Sequence, residues 1–195
     1  MKTLARRILR FFHTVIFPKQ LAFGIMVLKL IGDKNYGKML KTKLRAYPMG
    51  TVGYELLQFL AKNNFDFVPY YEHHDMKHVL LDYDTSAKGE ICMQVFMFGN
   101  AGASPVSLFL FFSFVIWVPD VWHELPYHFL VGRFCKPLSK IQIEEIAGRN
   151  VLEIRKEICL KEAKWKAAML WQGLRLAPPI VDIKCRTQTK LNFFE

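Results

Sequence analysis

Two histidines four residues apart are the part of this sequence best suited to chemistry. His74 and His78 stand in the segment His-Asp-Met-Lys-His, and Glu90 follows after eleven intervening residues. On an α-helix the two histidines lie roughly 40° apart on one face and about one turn apart along the axis, so both imidazoles can reach one divalent ion. With the carboxylate of Glu90, they predict a mixed nitrogen and oxygen site that suits zinc or iron and leaves positions open for water or substrate.

Glu90 can join the histidines only if the helix breaks before it. On one continuous helix it would lie about 18 Å beyond His78 and well around the axis. The intervening segment contains four residues that favour turns and helix N-caps: Asp82, Asp84, Thr85 and Ser86. A second helix that begins near Thr85 would form a helical hairpin and return Glu90 to the pair. The alternative is two surface histidines on an ordinary amphipathic helix, since short motifs often occur without a function.

The motif and its surroundings resemble the Coq4 family of ubiquinone (coenzyme Q) biosynthesis proteins. His-Asp-x-x-His, eleven residues and Glu is similar to that family's signature. Upstream, residues 47–53 read Tyr-Pro-Met-Gly-Thr-Val-Gly and resemble its Pro-x-Gly-Thr-x-Gly segment. Downstream, residues 132–138 read Gly-Arg-Phe-Cys-Lys-Pro-Leu and resemble its Gly-Arg-x-x-Lys-Pro-Leu block. The resemblance is best over residues 47–90 and 132–158.

The resemblance implies an all-helical, membrane-associated protein that holds a divalent metal and binds a long isoprenoid tail. Family members are linked to removing the carboxylate at the first ring carbon of the quinone precursor, to hydroxylating that carbon, and to organising other pathway enzymes. Carried over by position, the metal ligands would be His74, Asp75, His78 and Glu90. The sequence departs from the family at residues 76–77 and 81–84, on the rim of this site, so the departures bear on the substrate more than on the metal.

Length and composition predict one compact domain. A chain of 195 residues with 52% hydrophobic content can bury a sizeable core, and no half of it has a disordered composition. The four cysteines are far apart and form no Cys-x-x-Cys pair, which argues against a disulfide framework or a thiolate zinc site: Cys92, Cys135, Cys159 and Cys185. We expect reduced thiols in a cytoplasmic protein that sits peripherally on the inner face of the membrane.

The net charge of +10 is concentrated at the ends of the chain. Residues 1–50 hold eleven Lys or Arg against Asp33 alone. Residues 1–18 also place apolar side chains at helical spacing, which predicts a basic amphipathic helix on an anionic membrane surface. A plain solvated helix is the alternative. Nucleic acid is not expected as a partner, because no recognition motif accompanies the charge.

The segment between Glu90 and Asp120 carries no ionisable Asp, Glu, Lys, Arg or His. A Gly- and Pro-containing stretch interrupts it, and residues 106–118 would make about 20 Å of helix against roughly 30 Å of bilayer hydrocarbon. We therefore expect a buried helix or one wall of an apolar cleft for an isoprenoid tail. The candidate lipid-binding residues are Phe109, Phe112, Trp117, Arg133 and Lys136, the last two for the anionic end of the ligand. A core helix and a solvated basic pair are the alternatives.

The remaining pattern predicts an all-α single-domain bundle. Helices are expected at 21–31, 36–45, 52–63, 70–81, 85–98, 106–118, 122–134 and 141–174, with Gly148 as a candidate break in the last and Pro126 as a candidate bend in the seventh. Residues 180–185 could form a short strand. We divide the chain into an N-terminal helix (1–18), a helical metal- and lipid-binding domain (19–158) and a basic C-terminal helix end and tail (159–195). His123, Glu124 and His128 could add a ligand or a proton carrier near the metal, although solvated or core histidines explain them as well.

Three functions are consistent with these features. The first is a metal-dependent enzyme, with zinc or iron, that acts on the ring of a polyprenylated quinone precursor. The second is a non-catalytic isoprenoid-binding scaffold whose partners are other quinone-biosynthesis proteins. The third is a metal-dependent hydrolase unrelated to quinones, in which the ion activates water.

Overall fold

The computed structural model describes residues 35–68, 71–102, 118–138 and 141–173, together with nine single positions: Arg7, Phe11, Val15, Lys19, Met26, Leu30, Phe111, Phe112 and Val115. Its described α-helices are α1 (Tyr36–Leu44), α2 (Val52–Asn63), α3 (Glu72–Leu81), α4 (Ala87–Gly99), α5 (Leu125–Phe134), α6 (Ile143–Ile146), α7 (Val151–Glu157) and α8 (Leu160–Gly173). A 3-10 turn spans Pro119–Val121. The prediction of an all-helical single domain is confirmed.

The hairpin of α3 and α4 forms where the turn-favouring residues predicted it. Asp82 ends α3 in the left-handed conformation, with φ of 63°, which Asp tolerates better than most residues. Ser86 then caps α4, because its hydroxyl accepts a hydrogen bond from the Gly89 amide. The two helices are therefore joined by a short loop, and Glu90 lies in the first turn of α4.

The helix predicted over 141–174 has the break that Gly148 suggested and a second break that was not predicted. It forms α6, α7 and α8, with breaks at two places. Asn150 is extended, caps α7 by accepting from the Leu152 amide, and pairs with Thr51 at the start of α2. The second break is at Cys159, which ends the helical conformation with a left-handed φ of 57°. At the first break, the pairing of Asn150 with Thr51 holds the chain against the start of α2. These two residues are about a hundred positions apart, so a local sequence pattern does not reveal the contact.

The helix expected at 122–134 is also shorter than predicted. It begins at Leu125, after the 3-10 turn, and Pro126 lies in its first turn. A proline there does not bend the helix, because the first-turn amides have no intrahelical acceptor to lose. The expected bend is therefore wrong, and Pro126 instead marks the start of α5.

Helices α4 and α5 cross with their backbones in contact. A Cβ on Gly132 would overlap the carbonyl oxygen of Phe96, and one on Gly99 would overlap that of Phe129. Beside the crossing, buried Asn100 donates to the carbonyls of Gly132, Cys135 and Lys136 and accepts from the Leu138 amide at 2.7 Å. These contacts hold α5 and the loop after it against α4.

A single large apolar cluster joins the helices, and its largest fully buried members include Trp171 of α8, Phe96 of α4 and Leu56 of α2. None of the described helices is both long enough and apolar enough to span a bilayer. Several predicted segments lie outside the described residues: the helix at 21–31 apart from Met26 and Leu30, the strand at 180–185, most of the helix at 106–118, and the helix at 1–18 apart from Arg7, Phe11 and Val15.

Candidate metal centre

The α3–α4 hairpin brings the two histidines and the glutamate together. His74 Nε2 lies 3.2 Å from Glu90 Oε2, and His78 Nε2 lies 3.0 Å from Glu90 Oε1. The two imidazole rings are 4.9 Å apart and inclined at 63°. Since one potential ligand atom from each of the three residues lies within 4.8 Å of the others, a single ion could contact all of them.

A hydrogen bond to the backbone fixes the orientation of the His78 ring. Its Nδ1 lies 3.0 Å from the backbone carbonyl of Tyr83, and because a carbonyl only accepts, Nδ1 carries a proton. In a neutral imidazole this leaves a lone pair on Nε2, which is buried, faces Glu90 and has no hydrogen-bond partner. Two acceptors facing each other at 3.0 Å require a positive charge between them, from a proton or a metal ion. A protein carbonyl behind the ligating histidine is the usual support of such sites.

His74 is supported by its neighbours in a different way. The ring of Tyr71 stacks on it at 4.2 Å, and the Tyr71 hydroxyl lies 3.3 Å from Nε2. Asp75 lies on the opposite side, with Oδ1 3.7 Å from Nδ1, too far for a hydrogen bond but close enough to favour a positive ring. Asp75, predicted as a fourth ligand, is therefore beside His74 and outside the group of three converging ligand atoms.

Electrostatics favour a cation beside Glu90. Burial alone raises the pKa of Glu90, but the interactions with His74 and His78 outweigh it and lower the pKa to about 2. Burial lowers the pKa of His74, but Asp75 and Glu90 raise it to about 9. For Tyr71, burial and then the charges of Glu90 and Asp75 raise the pKa, so its hydroxyl remains a donor at neutral pH. The buried carboxylate thus stays ionised and is balanced by positive charge.

These residues fit a divalent metal. Two imidazoles and one carboxylate are the ligand types of catalytic zinc sites, which use three protein ligands and leave a position for water or substrate. The side chain of His74 is 16% exposed whereas that of His78 is 1% exposed, so the centre is reached from the His74 side. His74, His78 and Glu90 would hold the ion, and its presence stays a prediction.

A second group of potential ligands lies elsewhere on α4. Cys92 meets Glu124 and His128, with one ligand atom of each within 4.8 Å of the others. The sequence suggested Glu124 and His128 as additions to the first centre, but they join Cys92 instead. The side chain of His123 is 56% exposed, and its Nε2 lies 3.6 Å from Glu124 Oε1. Burial, and then the charges of Lys88 and Lys164, lower the pKa of His128 to about 3, so its imidazole is neutral.

Three residues at these two groups were not predicted from the sequence. Tyr71 and Tyr83 carry no motif, and their roles depend on a stacked ring and on a backbone carbonyl. Cys92 was expected only to be a reduced thiol, and its neighbours appear only where α4 packs against α5. The one available signal was the aromatic residue on each side of the histidine helix, which is too common to identify a site.

The candidate lipid-binding residues are only partly described. Phe112 is 63% exposed, and its ring lies 5.3 Å from that of Phe111. Arg133 and Lys136 are exposed at the C-terminal end of α5. Phe109 and Trp117 lie outside the described residues. A cavity of about 380 Å³ lies between α1, α2 and the loop after α2, and none of the five predicted residues lines it. Lipid binding therefore stays a prediction.

Comparison with known proteins agrees with the architecture and the motif. The family model for the coenzyme Q (ubiquinone) biosynthesis protein Coq4 matches residues 67–164, half of the chain, including both groups of potential ligands. The mitochondrial ubiquinone biosynthesis protein COQ4 of Candida dubliniensis is 26% identical over 144 residues, which cover 62% of this chain and 45% of that protein. The match thus spans less than half the length of that relative.

A crystal structure shows a similar fold. It is that of a candidate ubiquinone biosynthesis protein from Nostoc punctiforme PCC 73102, which superposes with a TM-score of 0.50 at 22% sequence identity. The alignment covers 71% of this chain and 80% of that chain, and at this identity it supports the fold alone. Together with the family match, which contains the complete His-Asp-x-x-His and Glu90 motif, these findings show that the chain belongs to the Coq4 family of ubiquinone biosynthesis proteins.

Proposed function

We propose that this protein is a metal-dependent enzyme of ubiquinone biosynthesis that acts on the ring of a polyprenylated precursor, at the carbon that carries the carboxylate. The observation that carries the proposal is the pair formed by His78 Nε2 and Glu90 Oε1, which face each other at 3.0 Å with Nδ1 already bound to the Tyr83 carbonyl. Zinc suits this ligand set best, and iron is the alternative.

A bound divalent ion would supply Lewis-acid polarisation of the substrate's carboxylate. His78 and Glu90 form the buried side of the centre, and His74 forms its accessible side. The protonated hydroxyl of Tyr71, beside His74 Nε2, can donate a hydrogen bond to a carboxylate oxygen that arrives from this side. Asp75, whose Oδ1 faces Nδ1 of His74, helps to orient the His74 ring. The protein therefore offers a hydrogen-bond donor next to the position where the ring acid would bind.

The proposed substrate and the proposed membrane association depend mainly on features of the sequence. The exposed aromatic surface at Phe112, and the cations of Arg133 and Lys136, suit an isoprenoid tail and an anionic end group. Residues 1–18 would hold the protein peripherally on the inner face of the membrane through anionic lipids. Flotation with vesicles that contain anionic lipid should recover the full chain, and deletion of residues 1–18 should reduce that recovery.

A scaffold role is the second candidate, and one feature of α8 favours it. Three large apolar side chains of this helix are exposed: Trp165 at 62%, Met169 at 51% and Leu170 at 49%. Exposed apolar patches of this kind often bind other proteins. In that role the protein would assemble the pathway enzymes and its metal would be structural. Membership of the ubiquinone family counts against the third hypothesis, a hydrolase unrelated to quinones.

The decisive experiment replaces the protein in its own cells with variants and measures ring-carboxylated precursors by mass spectrometry. For an enzyme, His74→Ala should be folded and membrane-bound, should still assemble with its partners, and should accumulate the carboxylated precursor. The matched control is His73→Ala, the adjacent histidine outside the ligand group, which should behave as wild type. One outcome would contradict an enzymatic role and support a scaffold role. In it, cells that carry a folded His74→Ala protein make the quinone normally, whereas cells that carry Trp165→Ser do not.

A further inference from the structure

Cys92, Glu124 and His128 are the second place in the described chain where three different metal-ligating side chains converge. Cys92, on α4, is 2% exposed, and Glu124, at the N-cap of α5, is 7% exposed. His128 lies one turn into α5 and is partly buried. Unlike an acidic cluster on a surface, this group combines a thiol, an imidazole and one carboxylate in the interior, which is the ligand variety of a transition-metal site.

His128 is oriented in the manner of a ligating histidine. Its Nδ1 lies 2.7 Å from the Tyr83 hydroxyl, and in the tautomer in which Nδ1 donates to that oxygen, Nε2 carries the lone pair and can bind an ion. Tyr83 also supports the first centre, because its backbone carbonyl accepts from His78 Nδ1. Tyr83 therefore contacts one histidine in each of the two groups.

Glu124 already has a cationic partner, and this partner is exchangeable. Lys88 Nζ donates to Glu124 Oε1 at 2.6 Å, but the lysine side chain is 49% exposed. A long side chain at this exposure can move into solvent, where its ammonium group is well hydrated. His123 Nε2, on a side chain that is 56% exposed, lies 3.6 Å from the same oxygen. One carboxylate oxygen of Glu124 lies within 4.8 Å of ligand atoms of Cys92 and His128. The alternative explanation of the cluster is this ion pair alone, with Cys92 and His128 as ordinary interior side chains.

We propose that Cys92, Glu124 and His128 form a second metal site, for a divalent ion of the zinc type, that is distinct from the His74–His78–Glu90 centre. A thiolate and an imidazole favour borderline-soft ions and disfavour Mg²⁺ and Ca²⁺, which take oxygen ligands. Binding forms a metal–sulfur bond as the Cys92 thiol releases its proton to solvent. Because Tyr83 contacts His128 and His78, an ion here would fix the α3–α4 loop that orients the first centre.

Cobalt substitution separates the two sites, because only the second contains sulfur. The full-length protein is stripped with a chelator and titrated with Co²⁺ while the absorption spectrum is recorded. We expect a saturable near-ultraviolet thiolate-to-cobalt charge-transfer band in wild type and its loss in Cys92→Ser. The band should persist in Cys159→Ser, the matched cysteine control, and in His78→Ala, which damages only the first centre. No band in wild type, or a band that survives Cys92→Ser, would overturn the proposal.

A second variant tests the site without altering any ligand. Lys88→Ala removes the competing ammonium group and leaves Glu124 buried without its partner. If the site binds metal, Co²⁺ should bind severalfold more tightly to this variant, and Zn²⁺ should raise its Tm more than that of wild type. If the cluster is only an ion pair, Lys88→Ala should lose stability that Zn²⁺ does not restore, and the proposal is wrong.

Discussion

Arg155 forms hydrogen bonds with the C-terminal end of α3, the helix that carries both histidines of the candidate metal centre. Its Nε and Nη2 donate to the carbonyls of Leu80 and Val79, each at 2.9 Å. These two carbonyls belong to the last turn of α3, where a helix leaves its acceptors without intrahelical partners. A cation at a helix C-terminus is also favoured by the helix dipole. Arg155 lies in α7, so one side chain connects two helices that are far apart in sequence.

The cost of removing this side chain can be worked from these contacts. A hydrogen bond that involves a charged group contributes about 1.5–3 kcal/mol, and because the Arg155 side chain is 29% exposed we take the lower end for each of the two bonds. Arg155→Met should therefore lower the free energy of unfolding by about 3 kcal/mol. Arg155→Lys should lower it by about half as much, because an ammonium group retains the charge but cannot reproduce the two-pronged geometry.

The assay is chemical denaturation followed by circular dichroism, with thermal unfolding as a second probe. A loss of 3 kcal/mol in a protein of this size should lower Tm by about 6–12 °C. The control is Arg149→Met, which breaks an exposed ion pair with Glu157 and should leave the stability unchanged. Equal stability of Arg155→Met and Arg149→Met would refute the argument that capping of the α3 carbonyls stabilises this helix.

Three further predictions concern the helix crossing and the metal. Gly132→Ala should destabilise the protein by about 2 kcal/mol or more in denaturation, because its Cβ would overlap the Phe96 carbonyl oxygen, whereas Gly173→Ala, with nothing within 4 Å, should not. Asn100→Leu should cost about 3 kcal/mol or more, since it leaves buried carbonyls and an amide unpaired. A chelator should lower the Tm of wild type more than that of His78→Ala, and equal shifts would contradict metal binding at the first centre.

Local signals were sufficient to predict the hairpin and the approach of Glu90 to the two histidines. The His74–His78 spacing and the turn-favouring residues 82–86 are both short-range features, and they predicted that Glu90 would return to the histidines, as it does at 3.0 Å and 3.2 Å. The bounds of α2 were also predicted, and in the structure Thr51 caps this helix by accepting a hydrogen bond from the Tyr54 amide. Where a cap or a periodic pattern determines the result, the sequence alone is informative.

The features that the sequence did not predict depend on contacts between distant residues. Gly148 indicated the first break in the C-terminal helix, but not the pairing of Asn150 with Thr51 that joins this segment to α2. The convergence of Cys92 with His128 depends on how α4 crosses α5 at Gly99 and Gly132. Asp75 was carried over as a ligand from the family motif, and only the side-chain geometry separates it from the converging atoms. None of these arrangements leaves a periodic pattern.

The metal content of a variant that retains only the first centre tests the central claim most directly. Cys92→Ser removes the sulfur ligand of the second group, so any stoichiometric metal left after purification should belong to His74, His78 and Glu90. We expect one equivalent of divalent metal in Cys92→Ser by mass spectrometric metal analysis, and almost none in the Cys92→Ser, His78→Ala double variant. Equal metal content in the two folded proteins, or none in either after incubation with zinc and iron(II), would contradict the proposed centre.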